Sequence, residues 1–190
     1  MIIRPENTAI VNGVSKSALE VEKIYSPGFI VLDYGAGKLR NSNYLLSKEI
    51  IVHILDTPYQ LERTSPQKLA KYEKIYNTND EIYSKYDIVL CSFVLNVIPE
   101  QQIRDNVVRK CNNIITKDGY FVLEVRRSRG IMENKNLAPY NDGFIVGKGE
   151  VRTFQKPYND KEVEALLIAN DFTVIKVWNE NDSVIGIAKK

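Results

Sequence analysis

The 190-residue chain predicts a single α/β domain built on a doubly wound, mostly parallel seven-stranded sheet with a C-terminal antiparallel hairpin. Three observations predict it. Short continuous apolar runs, the mark of strands buried on both faces, alternate with segments of helical apolar spacing. A glycine-bearing loop follows the first run. The last two runs are joined by a polar turn too short for anything but an antiparallel return.

Along the chain, Ser17 followed by Glu20 has the capping-box pattern, and Ala18, Val21 and Tyr25 recur at helical spacing up to Pro27-Gly28. Residues 1–28 are therefore expected to form an N-terminal helical segment. Phe29 to Asp33 is the first strand and Ile50 to Leu55 the second, each running into an aspartate. Lys74 to Tyr76 is a short third, Tyr86 to Ser92 the fourth and Gly119 to Val125 the fifth. Between the last two, Pro99 suits a first helical position, and Ile103, Val107, Val108, Cys111, Ile114 and Ile115 form the one-sided stripe of a crossover helix. Asp160 can cap a helix carrying Val163, Leu166 and Leu167 and ending near Asn170. Phe172 to Trp178 and Ser183 to Ala188 then make the hairpin.

Composition removes several classes. No stretch approaches the ~18 apolar residues of a membrane span. The start lacks the basic-then-apolar pattern of a secretory signal, so a cytoplasmic location is expected. Two cysteines without ligand spacing and one histidine argue against a metal site or a disulfide framework. A net charge of +2 is compatible with an anionic partner without pointing to one.

The chemistry is carried by the loop Tyr34-Gly35-Ala36-Gly37. In a Rossmann-like sheet, ligands bind beyond the carboxyl ends of the strands, and glycines there permit positive φ and a close backbone approach. Helix-start N–H groups favour a carboxylate. Asp33 before the loop is placed to accept from an amine of the same ligand. Asp56, with Thr57 beside it, suits a ribose hydroxyl pair. A nicotinamide-dinucleotide reading is weaker, because Arg40 stands where a third Gly or Ala is needed. A phosphate-binding P-loop is excluded by the absence of Gly-Lys-Ser/Thr.

Val31-Leu32-Asp33-Tyr34-Gly35-Ala36-Gly37, Asp56, and Tyr86-Asp87-Ile88-Val89 running into Phe93-Val94-Leu95-Asn96-Val97-Ile98 resemble the motifs of class I S-adenosylmethionine-dependent methyltransferases. The resemblance covers roughly residues 15 to 190 and departs at Leu39, where many members carry glycine. It implies S-adenosylmethionine as cofactor, Asn77 and Asn79 near the adenine edge, and the loop from Ser92 to Asn96 facing the methyl donor, where Phe93 either covers the adenine or, as its residue type favours, packs in the core. A narrower similarity, to the methyltransferases associated with bacterial DNA phosphorothioation, rests on Val94 to Ile98, Asp142-Gly143 and Thr153-Phe154-Gln155-Lys156.

Methyl transfer to an O or N nucleophile depends on alignment, and a protein base is needed only if the nucleophile must lose a proton. No catalytic residue is assigned. His53, inside an apolar strand, reads as a core histidine, and Cys91 as a buried apolar residue. The Asn/Asp-Pro-Pro-aromatic and Pro-Cys patterns of base methyltransferases are absent. Arg126-Arg127-Ser128-Arg129 is the densest basic cluster, either an anion grip or a solvated turn. Residues 128–158 are too long for a strand-helix connection and are read as a substrate cap, with Phe144 to Val146 and Val151 to Phe154 a small hairpin. Tyr140, Arg152 and Gln155 are its recognition groups. The expected activity is methyl transfer to a small-molecule or nucleic-acid-linked substrate. One alternative, from the missing base motif, is a non-catalytic cofactor-binding accessory protein acting through a protein partner; another is a nucleic-acid-associated protein with Arg126, Arg127, Arg129 and Lys156 as phosphate contacts.

Overall fold

A computed structural model describes residues 1–8, 13–127 and 137–190. Its main sheet contains β2 (Ile30–Tyr34), β3 (Ile51–Asp56), β4 (Ile75–Asn77), β5 (Tyr86–Ser92), β6 (Ile115–Arg126), β10 (Thr173–Glu180) and β11 (Ser183–Lys189) in the order β10-β11-β6-β5-β2-β3-β4. The pairs from β4 through β6 are parallel, and β11 runs antiparallel to both of its neighbours. The doubly wound α/β sheet with its C-terminal hairpin is thus the architecture. After β4 the chain returns to place β5 on the other side of β2, so the order reverses between these two strands, where such sheets bind ligands.

Strand side chains alternate between two cores. Val31, Val52, Ile54, Ile88, Leu90 and Val122 face α1 (Lys16–Ile24) and α2 (Arg40–Ser47). Leu32, Leu55, Val89, Cys91, Phe121 and Leu123 face α5 (Gln101–Ile114) and α6 (Asp160–Ala169). Two short helices, α3 (Pro58–Glu62) and α4 (Pro66–Leu69), fill the connection from β3 to β4. No described helix is long and apolar enough to cross a membrane.

Four helix details differ from the sequence reading. Ser15, not Ser17, caps α1, accepting from the Ala18 N–H; Ser17 is fully buried and its N–H donates to the Glu124 carboxylate at 2.8 Å. Asn159 caps α6 in a reciprocal pair with Glu162, which makes Asp160 the first helical residue rather than the cap. Pro99 precedes the Glu100 cap of α5 and is not helical. Ile103 is 48% exposed, so the buried apolar stripe of α5 begins at Val107, one turn after buried Arg104, and Ile115 already belongs to β6.

A second, four-stranded sheet packs on the loop after β5, ordered β1-β9-β8-β7, with β1 (Ile2–Ile3), β7 (Ala138–Tyr140), β8 (Gly143–Val146) and β9 (Val151–Gln155). The expected hairpin of the 128–158 segment is β8-β9. The N-terminal segment is not simply helical: Ile2 and Ile3 pair in parallel with Val151 and Arg152. Buried Arg104 of α5 fastens this sheet, donating to the Asp142 carboxylate and, at 2.7 Å, to the Ile98 carbonyl.

Asp33, near the end of β2, is 1% exposed. Its Oδ2 accepts from the Ser42 hydroxyl on α2, and its Oδ1 has no hydrogen-bond partner among the described residues. Burial pushes its carboxyl up to about 6, the Ser42 hydrogen bond opposing the rise. Between the ordinary carboxylate range and that value the folded chain keeps a proton that the unfolded chain releases, so stability falls as pH rises through the window and stays lower above it. Asp33→Asn removes this dependence. The stability of the variant relative to the wild type is expected to rise by about 2 kcal/mol between pH 4.5 and 7.5 in urea titrations, whereas an ordinary, solvated Asp33 would give no pH-dependent difference.

Candidate functional site

Beyond the carboxyl ends of β2, β3, β5 and β6 the two sheets and the N-terminal segment enclose a cleft of about 930 Å³, a size suited to small-molecule ligands. Its floor is the glycine loop. Gly35 has φ +79° and Gly37 φ +55°, and the Gly35 and Ala36 N–H groups donate to the Leu55 carbonyl at 2.8 and 3.1 Å. A Cβ on Gly35 would stand 2.3 Å from Val94 Cγ2, so only a hydrogen fits where the loop after β2 meets the loop after β5. Leu39, at the position where the related motif has glycine, also adopts positive φ, 64°, and buries its side chain in the core. The left-handed turn survives without glycine because burial of the leucine side chain offsets a strain on the order of 1 kcal/mol.

Asp56 is 8% exposed, and burial raises its pKa. Its two oxygens accept from the Gly37 N–H at 2.5 Å and the Thr57 N–H at 2.7 Å. Gln60 Nε2 donates to the Gly37 carbonyl at 2.9 Å, which completes the brace around the loop. The Thr57 hydroxyl donates to Glu6 Oε1 at 2.9 Å, bringing the N-terminal segment over this end of the cleft. Thr78 and Asn79 stand beside it on the wall.

At the opposite end, Phe93 has φ 59° and its N–H donates to the Glu124 carbonyl at 2.7 Å. Its ring lies 5.5 Å from the Arg40 guanidinium carbon and 5.6 Å from that of Arg126, both within cation–π range. Arg40 Nη1 donates to the Gly13 carbonyl at 2.7 Å. Burial lowers the pKa of Arg40, while the charges of Glu124 and Asp33 work the other way. Asn96 links this loop to the small sheet: its Nδ2 donates to Gln155 Oε1 at 3.0 Å, and its carbonyl accepts from the Lys156 N–H at 2.7 Å.

Of the residues expected from sequence, Tyr34, Gly35, Ala36, Gly37, Asp56, Thr57, Asn79, Ser92, Phe93, Arg126 and Gln155 line the cleft. Asp33 does not; it lies beneath the loop, tied to Ser42, because β2 delivers it to the α2 face of the sheet. Asn77 turns inward, donating twice to the Asp80 carboxylate and accepting from the Asn79 N–H at 2.9 Å. Arg127 is drawn aside by backbone pairing with Asp182 and Tyr158, Tyr140 packs edge-on against Phe154, and Arg152 folds onto the Gly149 carbonyl. Ser128 and Arg129 fall outside the described residues. Lys156 is paired with Asp142 and Glu162 at 3.3 and 3.1 Å, so the basic set expected to contact phosphates does not converge among the described residues. His53 is 3% exposed and holds the Tyr86 hydroxyl at 3.1 Å, and both cysteines are buried and free, as expected. Sequence reasoning missed Glu6, Gln60, Glu124 and Arg40 as wall residues; only Arg40, adjacent to the glycine loop, carried a positional signal.

No family model matches the chain. Uncharacterized protein YmfD of Escherichia coli K12 is 25% identical, the match covering 95% of this chain and 89% of that protein. Among solved structures, an S-adenosylmethionine-dependent methyltransferase of Methanosarcina mazei is similar with a TM-score of 0.74 at 14% identity, over 94% of this chain and 98% of the other. The 1,6-didemethyltoxoflavin-N1-methyltransferase of Burkholderia thailandensis, solved with 1,6-didemethyltoxoflavin and S-adenosylhomocysteine, gives 0.67 at 18% identity over 98% and 78%. The glycopeptide N-methyltransferase MtfA with sinefungin gives 0.72 at 14% over 94% of both chains. At these identities the likeness is one of fold, and the fold is the Rossmann-like one of S-adenosylmethionine-dependent methyltransferases.

Proposed function

We propose that the chain binds S-adenosylmethionine along the cleft and catalyses transfer of its methyl group to an oxygen or nitrogen of a small molecule held under the second sheet. The observation that carries this reading is the Gly35–Gly37 loop at the point where the strand order reverses, with hydrogen-bond acceptors at one end of the cleft and a guanidinium beside a carboxylate at the other. The residues present fit such a ligand. Asp56 and Glu6 offer carboxylate oxygens to ribose hydroxyls, with Thr57 between them. Thr78 and Asn79 flank the adenine position. Arg40 and Glu124 are opposite in charge, as the carboxylate and amine of an amino-acid tail require.

The cofactor supplies an electrophilic methyl group on a sulfonium. The chain supplies alignment: Ser92, Phe93 and Asn96 after β5 shape the cleft where the acceptor must meet it, and Gln155 and Arg126 complete that side. Exclusion of water follows from the second sheet, held down by Arg104 and by the Asn96–Gln155 contact. None of Ser92, Phe93, Asn96 and Gln155 titrates near neutrality, which suits an acceptor that needs no strong base or releases its proton to solvent.

Calorimetry with S-adenosylhomocysteine tests the cofactor half. The wild type is expected to bind it, and Asp56→Ala to weaken binding at least about tenfold by freeing the Gly37 N–H as well as removing an acceptor. Gly35→Ala is expected to abolish binding while the chain still folds, because the added methyl must displace Val94. A folded wild type that does not bind S-adenosylhomocysteine would reject the proposal. Binding without turnover across acceptor panels would favour the accessory role, and affinity for nucleic acid that falls steeply with salt would favour a nucleic-acid-linked acceptor.

A further inference from the structure

Two guanidinium groups share the Phe93 ring, yet they are differently engaged. Arg40 stands at the start of α2, beside the glycine loop, with its Nη1 on the Gly13 carbonyl and the carboxylates of Glu124 and Asp33 in its field. Arg126 closes β6 on the side of the second sheet, and apart from the Phe93 ring its guanidinium makes no hydrogen bond or ion pair with any described residue. Glu124, two residues before it, is 1% exposed, accepts from the Ser17 N–H at 2.8 Å and makes no close ion pair with it. A half-buried cation facing a cleft, without an ion pair among the described residues, costs desolvation that a ligand anion would recover.

The surroundings narrow what carries that anion. Next to Phe93 the wall is apolar, made by Val97, Ile98 and Pro99. Beyond it the lining turns polar at Glu100, Asn106 and Lys110, and two buried polar atoms stand nearby, Ser92 Oγ and Asn96 Oδ1, which lack hydrogen-bond partners among the described residues. A buried acceptor left unmatched invites a donor from the ligand. We propose that the methyl acceptor is a small molecule with an apolar body and a carboxylate or phosphate, the anionic group held by Arg126 and the body lying on the Val97–Pro99 wall. This rests on the methyltransferase reading, within which Arg40 is the guanidinium left to the cofactor tail.

The anion at Arg126 has two sources, the acceptor or the amino-acid tail of the cofactor, and they separate experimentally. With the protein saturated in S-adenosylhomocysteine, benzoate and phenyl phosphate are titrated beside neutral benzamide by ligand-observed NMR. At least one of the acids is expected to bind about tenfold or more tightly than benzamide, and Arg126→Gln to erase the difference while changing S-adenosylhomocysteine affinity by less than about twofold. Arg126→Lys should retain part of the preference, which a merely structural role would not predict. Equal binding of acids and amide, or no binding of either acid, overturns the proposal. So does an Arg126→Gln variant that loses S-adenosylhomocysteine about tenfold but keeps 5′-methylthioadenosine, which lacks the tail. If the wild type binds no S-adenosylhomocysteine the methyltransferase reading itself fails, and the acid-against-amide comparison, run without it, still reports on the anion site.

Discussion

The contact between Gly35 and Val94 is the constraint on which the cleft depends. It joins the loops after β2 and β5 at a distance that admits no side chain on the first, so the backbone of the glycine loop itself forms that part of the cleft wall. Everything else in the floor follows from holding that loop still. The Leu55 carbonyl takes two of its N–H groups, the Asp56 carboxylate takes a third, and Gln60 holds its last carbonyl. An acid that looks in the sequence like a ligand-binding group is therefore also the brace of the loop it borders.

The second sheet shows a different economy of construction. Its strands come from distant parts of the chain: Ile2 and Ile3 pair with Val151 and Arg152, and the same N-terminal segment places Glu6 on Thr57, across the cleft. The acceptor side and the cofactor side of the proposed site are thus bridged by one short stretch. Arg104 beneath it is buried because its guanidinium meets the Asp142 carboxylate and two main-chain carbonyls, which together compensate for the loss of water.

The charges divide along the same line. Acidic and amide groups gather at the Asp56 end of the cleft, where the nucleoside is proposed to lie, and arginines gather around Phe93. That division arises from strand order, because β3 and β4 lie on one side of β2 while β5 and β6 lie on the other. The basic run after β6 is split by the same geometry: Arg126 points to the ring of Phe93, whereas Arg127 is fixed by backbone pairs to Asp182 and Tyr158.

Sequence by itself determined the sheet, because strands buried on both faces must read as apolar runs and the short polar turn between the last two allows only an antiparallel return. It also determined the glycine loop, since positive φ and a missing side chain are properties of single residues. Cap positions were legible only to within two residues, as Ser15 and Asn159 show, because several polar residues precede each helix and tertiary contacts choose among them. Tertiary structure alone decided that Asp33 is beneath the floor, that Asn77 folds into its own turn, and that Glu6 and Glu124 join the cleft. Side-chain direction depends on what packs on each face of the sheet, and a wall built from residues more than a hundred positions apart leaves no local pattern to read.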